Sequence, residues 1–170
     1  MMSNLIGFIA RGLLFLALGG FSVGETHAAT FSFFNFDDSE EIEESVFDLI
    51  NRERKRAKLS EFEWDERLAR VARRYSKHMA REGYLGHFDR QGNSVAERVT
   101  DEKITEWKKV GENLFFCDGY DDVAAIAVKS WIRSADHKRN MLDRAYTRTG
   151  IGVAKSRSGG YYVTQVFLLP

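Results

Sequence analysis

The end of the chain constrains the fold most, because two apolar segments there are separated by a short turn. Residues 150–155 and 161–169 are mostly apolar, and residues 156–160 between them include two serines and two glycines. Two strands joined by such a turn form an antiparallel hairpin. The fold is therefore predicted to contain an antiparallel sheet.

The region before this hairpin has apolar residues at helical spacing. A first helix is predicted to begin near Glu40, behind the N-cap candidates Asp38 and Ser39. Its basic end, residues 52–58, complements the helix dipole and is interpreted as a solvated helix terminus. A second helix is predicted over residues 65–82.

Two further helices are predicted in the middle of the chain. Ser94 and Glu97 have the spacing of a capping box that opens a short helix, and residues 121–134 form a last long helix. The segments between these helices, including residues 110–114 and the stretch from 134 to the hairpin, are predicted to be loops.

The first 28 residues have the order of a secretory signal peptide. Arg11 precedes an apolar run at residues 13–18, and the small residues Thr26 and Ala28 suit cleavage after Ala28 or Ala29. The apolar run is short for a membrane span, and an uncleaved anchor is the alternative. We expect the protein to be secreted or periplasmic.

The mature chain is expected to be one domain. Residues 29–39 include four phenylalanines and are interpreted as an aromatic-rich N-terminal arm, followed by the domain at residues 40–170. No second long apolar run follows, so we expect no transmembrane segment in the mature chain. We also expect the mature protein to be a monomer. If this arm binds a partner or pairs with the edge of a sheet, the protein would have a structural or interaction role.

Charge and cysteine content narrow the possible partners. The chain has 25 basic and 25 acidic residues, and this balance gives no argument for nucleic acid as a partner. Cys117 is the single cysteine, so an intramolecular disulfide is excluded. It lies in an apolar run and is interpreted as a small buried hydrophobe.

Three polar segments each contain a residue that could move protons or bind a metal ion: His87, Glu112 and His137. Each of them alone would ordinarily be a solvated side chain. Asn113 and Asn140 are interpreted as loop braces.

Two other polar residues have ordinary interpretations. Asp89 could orient the imidazole of His87 or cap its own loop. His78, beside the apolar stripe of the second helix, is expected to make an ordinary hydrogen bond.

An ordered series of short phrases surrounds these residues. They are residues 64–69 (WDERLA), 86–89 (GHFD), 111–114 (GENL), 131–142 (WIRSADHKRNML), 150–153 (GIGV) and 161–167 (YYVTQVF). This series resembles the CAP superfamily of cysteine-rich secretory proteins, antigen 5 allergens and plant pathogenesis-related proteins, and specifically its small bacterial branch. The resemblance covers about residues 42–167.

The resemblance implies an α+β fold, a three-layer α-β-α sandwich with a central antiparallel sheet and a cleft at one end. Animal and plant members line that cleft with two histidines and two glutamates, of which His87 and Glu112 match one each. Ser134 and Tyr162 stand where those members have the second glutamate and the second histidine. His137 ends a phrase similar to the Ser-Pro-Gly-His of the bacterial branch, so these five residues are the predicted cleft.

Two functions follow from this cleft. The first is an extracytoplasmic binding module for a lipid, a glycan or a peptide. The alternative is a metal-assisted hydrolase, peptidase or esterase-like, in which Glu112 is the general base and His87 and His137 help to hold a divalent metal such as zinc. Without a metal, Glu112 between the two imidazoles would instead fix the shape of the cleft.

Overall fold

The computed structural model describes residues 38–170, which fold into helices and one sheet. The helices are α1 (Ser39–Arg56), α2 (Glu66–Glu82), α3 (Val95–Asp101), α4 (Val123–Arg133) and α5 (Ala135–Met141). The strands are β1 (Glu63–Trp64), β2 (Lys109–Cys117), β3 (Arg148–Lys155) and β4 (Tyr161–Leu169). The predicted signal peptide and residues 29–37 of the predicted arm lie outside the described residues.

The strands form one sheet in the order β1-β3-β4-β2. β3 and β4 pair antiparallel, which confirms the predicted hairpin, and β2 pairs antiparallel with β4. The short β1 adds to the other edge parallel to β3, so the sheet is mixed.

Helices cover both faces of the sheet. α2 lies on the face that carries Val166 and Leu168, together with Val99 of α3. The other face carries Val163 and Phe167 and packs against α1 and α4 in the larger apolar cluster. The predicted α+β sandwich of three layers is therefore confirmed.

Two predictions about local structure are wrong. Residues 110–114 belong to β2, because the apolar residues on both sides of Glu112 pair with β4 over nine consecutive positions from Lys109 to Cys117. Residues 135–141 form a helix, α5, where a loop was predicted. Glu112 and His137 thus lie on regular elements.

The interpretation of the basic end of α1 also needs correction at one residue. Arg54 is buried, and its guanidinium donates to the carbonyl oxygens of Ser60, Met141 and Asp143 at 2.8–3.0 Å. It also lies over the ring of Phe62 at 3.7 Å. This side chain is part of the domain interior because it supplies donors to a loop that folds back on α1.

Cys117 is buried in the larger apolar cluster, and burial raises the pKa of its thiol. This confirms its interpretation as a small buried hydrophobe. Within residues 38–170, no helix combines the length and the apolar content that a bilayer crossing requires.

Candidate functional site: the His87 cleft

Glu112 is the buried centre of the site. It lies in β2 opposite Val166 of β4, and its side chain is only 2% exposed. Arg98 Nη2 donates to Oε1 at 2.7 Å, and His87 Nδ1 lies 2.9 Å from Oε2. Both carboxylate oxygens are therefore engaged, as a buried charge requires.

Arg98 is a functional residue that the sequence analysis missed. The capping box at Ser94 starts α3 and places Arg98 one turn into that helix, facing Glu112. Its guanidinium also donates to the carbonyl oxygen of Asn93 at 2.8 Å and stacks on the ring of Tyr75 at 3.5 Å. The sequence shows that Arg98 follows the capping box by about one helical turn, but it does not show that Arg98 pairs with Glu112.

His87 connects the buried carboxylate to the surface. Its side chain is 54% exposed, and Nε2 has no hydrogen-bond partner among the described residues. The hydrogen bond to Glu112 raises the pKa of the imidazole, and burial opposes this rise. Leu85 and Phe88, on either side of His87, are exposed apolar side chains.

His137 lies on α5 and is half-buried. Burial lowers the pKa of its imidazole, and the positive charge of His87 lowers it further. The two imidazoles are therefore close enough to interact electrostatically, although their pKa values shift in opposite directions. Its backbone carbonyl accepts a hydrogen bond from Asn113 Nδ2 at 3.0 Å.

Side chains from α4 and α5 hold the edge of β2 in place. Asn140 Nδ2 donates to the backbone oxygen of Glu112 at 3.2 Å and to Asn113 Oδ1 at 3.0 Å. Trp131 Nε1 donates to the backbone oxygen of Leu114 at 2.9 Å. These contacts confirm that Asn113 and Asn140 brace the structure, and they position β2, which carries Glu112, beside α5, which carries His137.

The two residues that depart from the four-residue pattern make no hydrogen bond to His87 or Glu112 among the described residues. Ser134 joins the end of α4 to the start of α5, and its side chain makes no cap hydrogen bond. Tyr162 is buried against Phe116, with ring centroids 4.6 Å apart, and lines a groove to which His87, Glu112 and His137 do not contribute. The structure thus joins His87 and Glu112 by a hydrogen bond and places His137 within electrostatic range of His87, while the contacts of Tyr162 are with other residues.

Two neighbouring predictions are settled by hydrogen bonds. Asp89 accepts from the backbone amides of Gln91 and Asn93 at 2.8–2.9 Å, so it caps its loop and does not orient His87. His78 Nδ1 lies 3.0 Å from a guanidinium nitrogen of Arg81, which confirms an ordinary hydrogen bond.

The cleft residues do not fit the three-ligand zinc site. A carboxylate ligand needs a free oxygen, but both oxygens of Glu112 are bonded, one of them to a guanidinium that would repel a cation. Nδ1 of His87 is bonded as well, so Nε2 is the one ring nitrogen of His87 left to bind a metal ion. Among the described residues, no group of three or more His, Cys, Asp or Glu side chains is arranged to hold a metal ion.

Comparison with known proteins identifies relatives of the whole described domain. The chain is 32% identical over 126 residues to the uncharacterized membrane protein YlbC of Bacillus subtilis (strain 168), which is 74% of this chain and 34% of YlbC. It is 30% identical over 116 residues to YkwD of the same organism, covering 68% of this chain and 44% of YkwD. The chain thus spans less than half the length of these two relatives.

Solved structures show the same fold. An extracellular protein containing an SCP domain from Bacillus anthracis matches 78% of this chain and 41% of its own, with 28% identity and a TM-score of 0.65. An outer surface protein from Borrelia burgdorferi matches 76% of this chain and 92% of its own, with 20% identity and a TM-score of 0.67. The sequence model of the CAP, or cysteine-rich secretory protein, family matches residues 47–167. The chain therefore belongs to the cysteine-rich secretory protein family, CAP.

Proposed function

We propose that this protein is an extracytoplasmic binding module whose cleft, formed by His87, Glu112 and His137, holds a lipid, a glycan or a peptide. One observation carries the proposal. Glu112 is fully engaged by Arg98 and His87, and this leaves Nε2 of the half-exposed His87 without a partner among the described residues, in a segment that also carries the exposed apolar side chains of Leu85 and Phe88. A few placed polar groups among apolar side chains are typical of ligand sites.

The raised pKa of His87 defines the chemistry of recognition. At neutral or slightly acidic pH a larger fraction of this imidazole is protonated than in an ordinary histidine, so Nε2–H donates to an oxygen acceptor or a carboxylate of the ligand. Leu85 and Phe88 would contact an apolar part of the same ligand. Burial lowers the pKa of His137, so a smaller fraction of this second imidazole is positively charged than in an ordinary histidine.

The contacts of Glu112 favour binding over the hydrolase alternative. A general base needs a free oxygen within hydrogen-bond reach of the attacking water. Glu112 is buried and its two oxygens accept from Arg98 and His87, so its role here is to position the imidazole of His87. The proposal therefore gives Glu112 a supporting role and no proton transfer.

Two observations support a location outside the cytoplasm. Residues 1–28 have the pattern of a secretory signal peptide. The relatives of solved structure include a protein described as extracellular and one described as an outer surface protein. We therefore propose that the protein is secreted or periplasmic.

The cleft is tested with a probe that combines a carboxylate and an apolar group. We would add N-acetylphenylalanine to the purified protein and follow the imidazole resonances of His87 by NMR, with the uncharged N-acetylphenylalanine amide in parallel. The expected result is a saturable shift at His87 with the carboxylate, and affinity that falls as pH rises through the raised pKa of His87.

His87→Gln should abolish the response, and His78→Gln is the matched control because His78 lies on α2 and has an ordinary hydrogen bond to Arg81. If the carboxylate and the amide bind equally, or if His87→Gln binds as the unsubstituted protein does, the proposed recognition by His87 is wrong.

A further inference from the structure

A second groove lies between the C-terminal end of α2 and the turn that joins β3 to β4. It encloses about 510 Å³, within the range of about 300–1,000 Å³ that is usual for small-molecule sites. Neither His87 nor Glu112 nor His137 lines it, so it is separate from the proposed cleft. Its floor includes Tyr162, the residue that the sequence assigned to the cleft.

Positive charge converges on this groove from two elements. Lys77 and Arg81 come from α2, and Lys155 and Arg157 come from the hairpin, against a single acidic side chain, Glu82. Glu82 pairs with Arg81 at 2.9 Å. In the part of the chain that the structure describes, Lys77 and Arg157 form no ion pair with any carboxylate.

The helix dipole explains only one of these four charges. Basic residues in the last turn of a helix are stabilised by the negative end of the dipole, which accounts for Arg81. Lys77 and Arg81 are four residues apart, and like charges at that spacing repel each other. Lys155 and Arg157 belong to the hairpin, so the dipole does not explain why they face the same groove.

Hydroxyl groups line the same wall. Ser156 and Ser158 stand on the turn with their Oγ atoms 3.0 Å apart, and both line the groove. Hydroxyl donors beside lysine and arginine side chains match the oxygen atoms of a phosphate group, because each phosphate accepts several charge-assisted hydrogen bonds.

We propose that this groove binds a soluble ligand that carries more than one phosphate group. Lys77 and Arg81 form one wall of the site, Arg157 and the two serines form the other, and the ligand relieves the repulsion between the walls. The shape favours a soluble ligand over a bilayer, because the basic groups surround a concavity and a flat membrane surface would not enter it.

The test uses tripolyphosphate as the probe and the purified protein. Isothermal titration calorimetry at low salt should show saturation with one tripolyphosphate per protein, and the amide resonances that shift in NMR should be those of the groove. Affinity should fall steeply with added salt. The double variant Lys77→Gln/Arg81→Gln should bind at least about tenfold more weakly, as should Arg157→Gln, because each removes charged hydrogen bonds.

Lys129→Gln/Arg133→Gln is the matched control, because it removes one lysine and one arginine four residues apart from another helix, where both are exposed. It should change the affinity less than about twofold if the groove is the site. Equal losses in the two double variants would mean that only net charge matters, and would overturn the proposal.

Binding to vesicles of phosphatidylglycerol, compared with vesicles of phosphatidylcholine, tests whether the phosphate comes from a membrane surface and not from a soluble ligand. We expect no vesicle binding that depends on Lys77 and Arg81. Vesicle binding that those substitutions abolish, without saturable binding of tripolyphosphate, would replace the soluble ligand by a bilayer surface and contradict the proposal.

Discussion

At the residue scale, the site depends on how the negative charge of the buried Glu112 carboxylate is balanced. Glu112 is nearly inaccessible to solvent, and a lone charge there would be costly to bury. Arg98 neutralises it from inside the domain, and His87 bonds to it from the surface. His87 is thus the partner of this carboxylate that is exposed to solvent.

The two histidines of the cleft should titrate apart. We expect NMR titration to give His87 a pKa above that of an ordinary histidine and His137 a pKa below it. In the variant His87→Asn, the pKa of His137 should rise, because the nearby positive charge is lost. In Asp136→Asn it should fall, since the Asp136 carboxylate raises it.

The same shifts predict how stability depends on pH. The pKa of His87 is raised in the folded state, so its contribution is complete below the unfolded value of about 6.5 and is lost as pH rises through the folded value. The pKa of His137 is lowered in the folded state, so its contribution to stability is present above that unfolded value and is lost as pH falls. The stability difference between the unsubstituted protein and His87→Asn should therefore shrink as pH rises above about 6.5. A difference that grows over this range would contradict the assignment.

A zinc titration tests whether His87, Glu112 and His137 are unable to hold a zinc ion, as the hydrogen bonds of Glu112 indicate. Because Arg98 holds one oxygen of Glu112 and His87 holds the other, we expect calorimetry at neutral pH to show no saturable uptake of zinc by the cleft. Uptake of one equivalent that disappears in His87→Asn would show that these contacts give way to the metal.

Arg54 should be essential for stability although it lies in a basic run. Replacing it by methionine leaves the carbonyl oxygens of Met141 and Asp143 without their donor, so we expect a loss of about 3 kcal/mol in urea unfolding. Arg52→Met is the control on the same helix, because Arg52 is exposed, and should change stability by less than about 0.5 kcal/mol. Similar losses in the two variants would refute the interior role of Arg54.

At the element scale, close packing of α2 on β3 organises the domain. A Cβ atom on Gly150 would lie 2.1 Å from the backbone nitrogen of Ala69, and one on Gly152 would lie 2.0 Å from that of Arg73. The two glycines therefore let the helix backbone approach the strand. Glu43 of α1 strengthens the arrangement, because its carboxylate accepts from Val153 N of β3 and from Arg73 Nε of α2.

Gly152→Ala should therefore displace α2 as a whole. Because the obstacle is helix backbone and cannot rotate away, we expect a loss of about 3 kcal/mol or more in urea unfolding. At Gly86 the nearest atoms to an added Cβ lie 3.7 Å away, so Gly86→Ala should cost less than about 1 kcal/mol. A Gly152→Ala protein as stable as the Gly86→Ala protein would rule out this packing.

At the scale of the whole molecule, the site is assembled from separate parts of the chain. The loop after α2 supplies His87, α3 supplies Arg98, β2 supplies Glu112 and α5 supplies His137. β2, the strand at one edge of the sheet, is tied to α4 and α5, because Trp131 and Asn140 bond to its backbone oxygens. The contacts around Glu112 can thus form only when these elements are packed together.

The proposed export concerns the whole chain and can be tested directly. In a bacterial host, we expect the protein outside the cytoplasm with an N-terminus at Ala29 or Thr30, read by N-terminal sequencing. Replacing Leu14 and Leu16 in the apolar run by arginine should retain the unprocessed chain in the cytoplasm. A purified extracellular protein that still begins at Met1 would contradict cleavage.

The sequence alone was sufficient for features that depend on neighbouring residues. It predicted the hairpin from its turn, α2 from its apolar spacing and α3 from its capping box, because these patterns are local. The ordered phrases also predicted the fold and selected His87 and Glu112.

Tertiary contacts decided the remaining features. β2 is a strand because β4 pairs with it, and the chemistry of Glu112 is set by Arg98, which the sequence offered only as a basic residue of a short helix. Arg54 and Arg52 look alike in the sequence, yet one is buried and the other exposed. Local pattern gives periodicity, but burial and charge pairing depend on residues distant in the chain, so only the folded domain determines them.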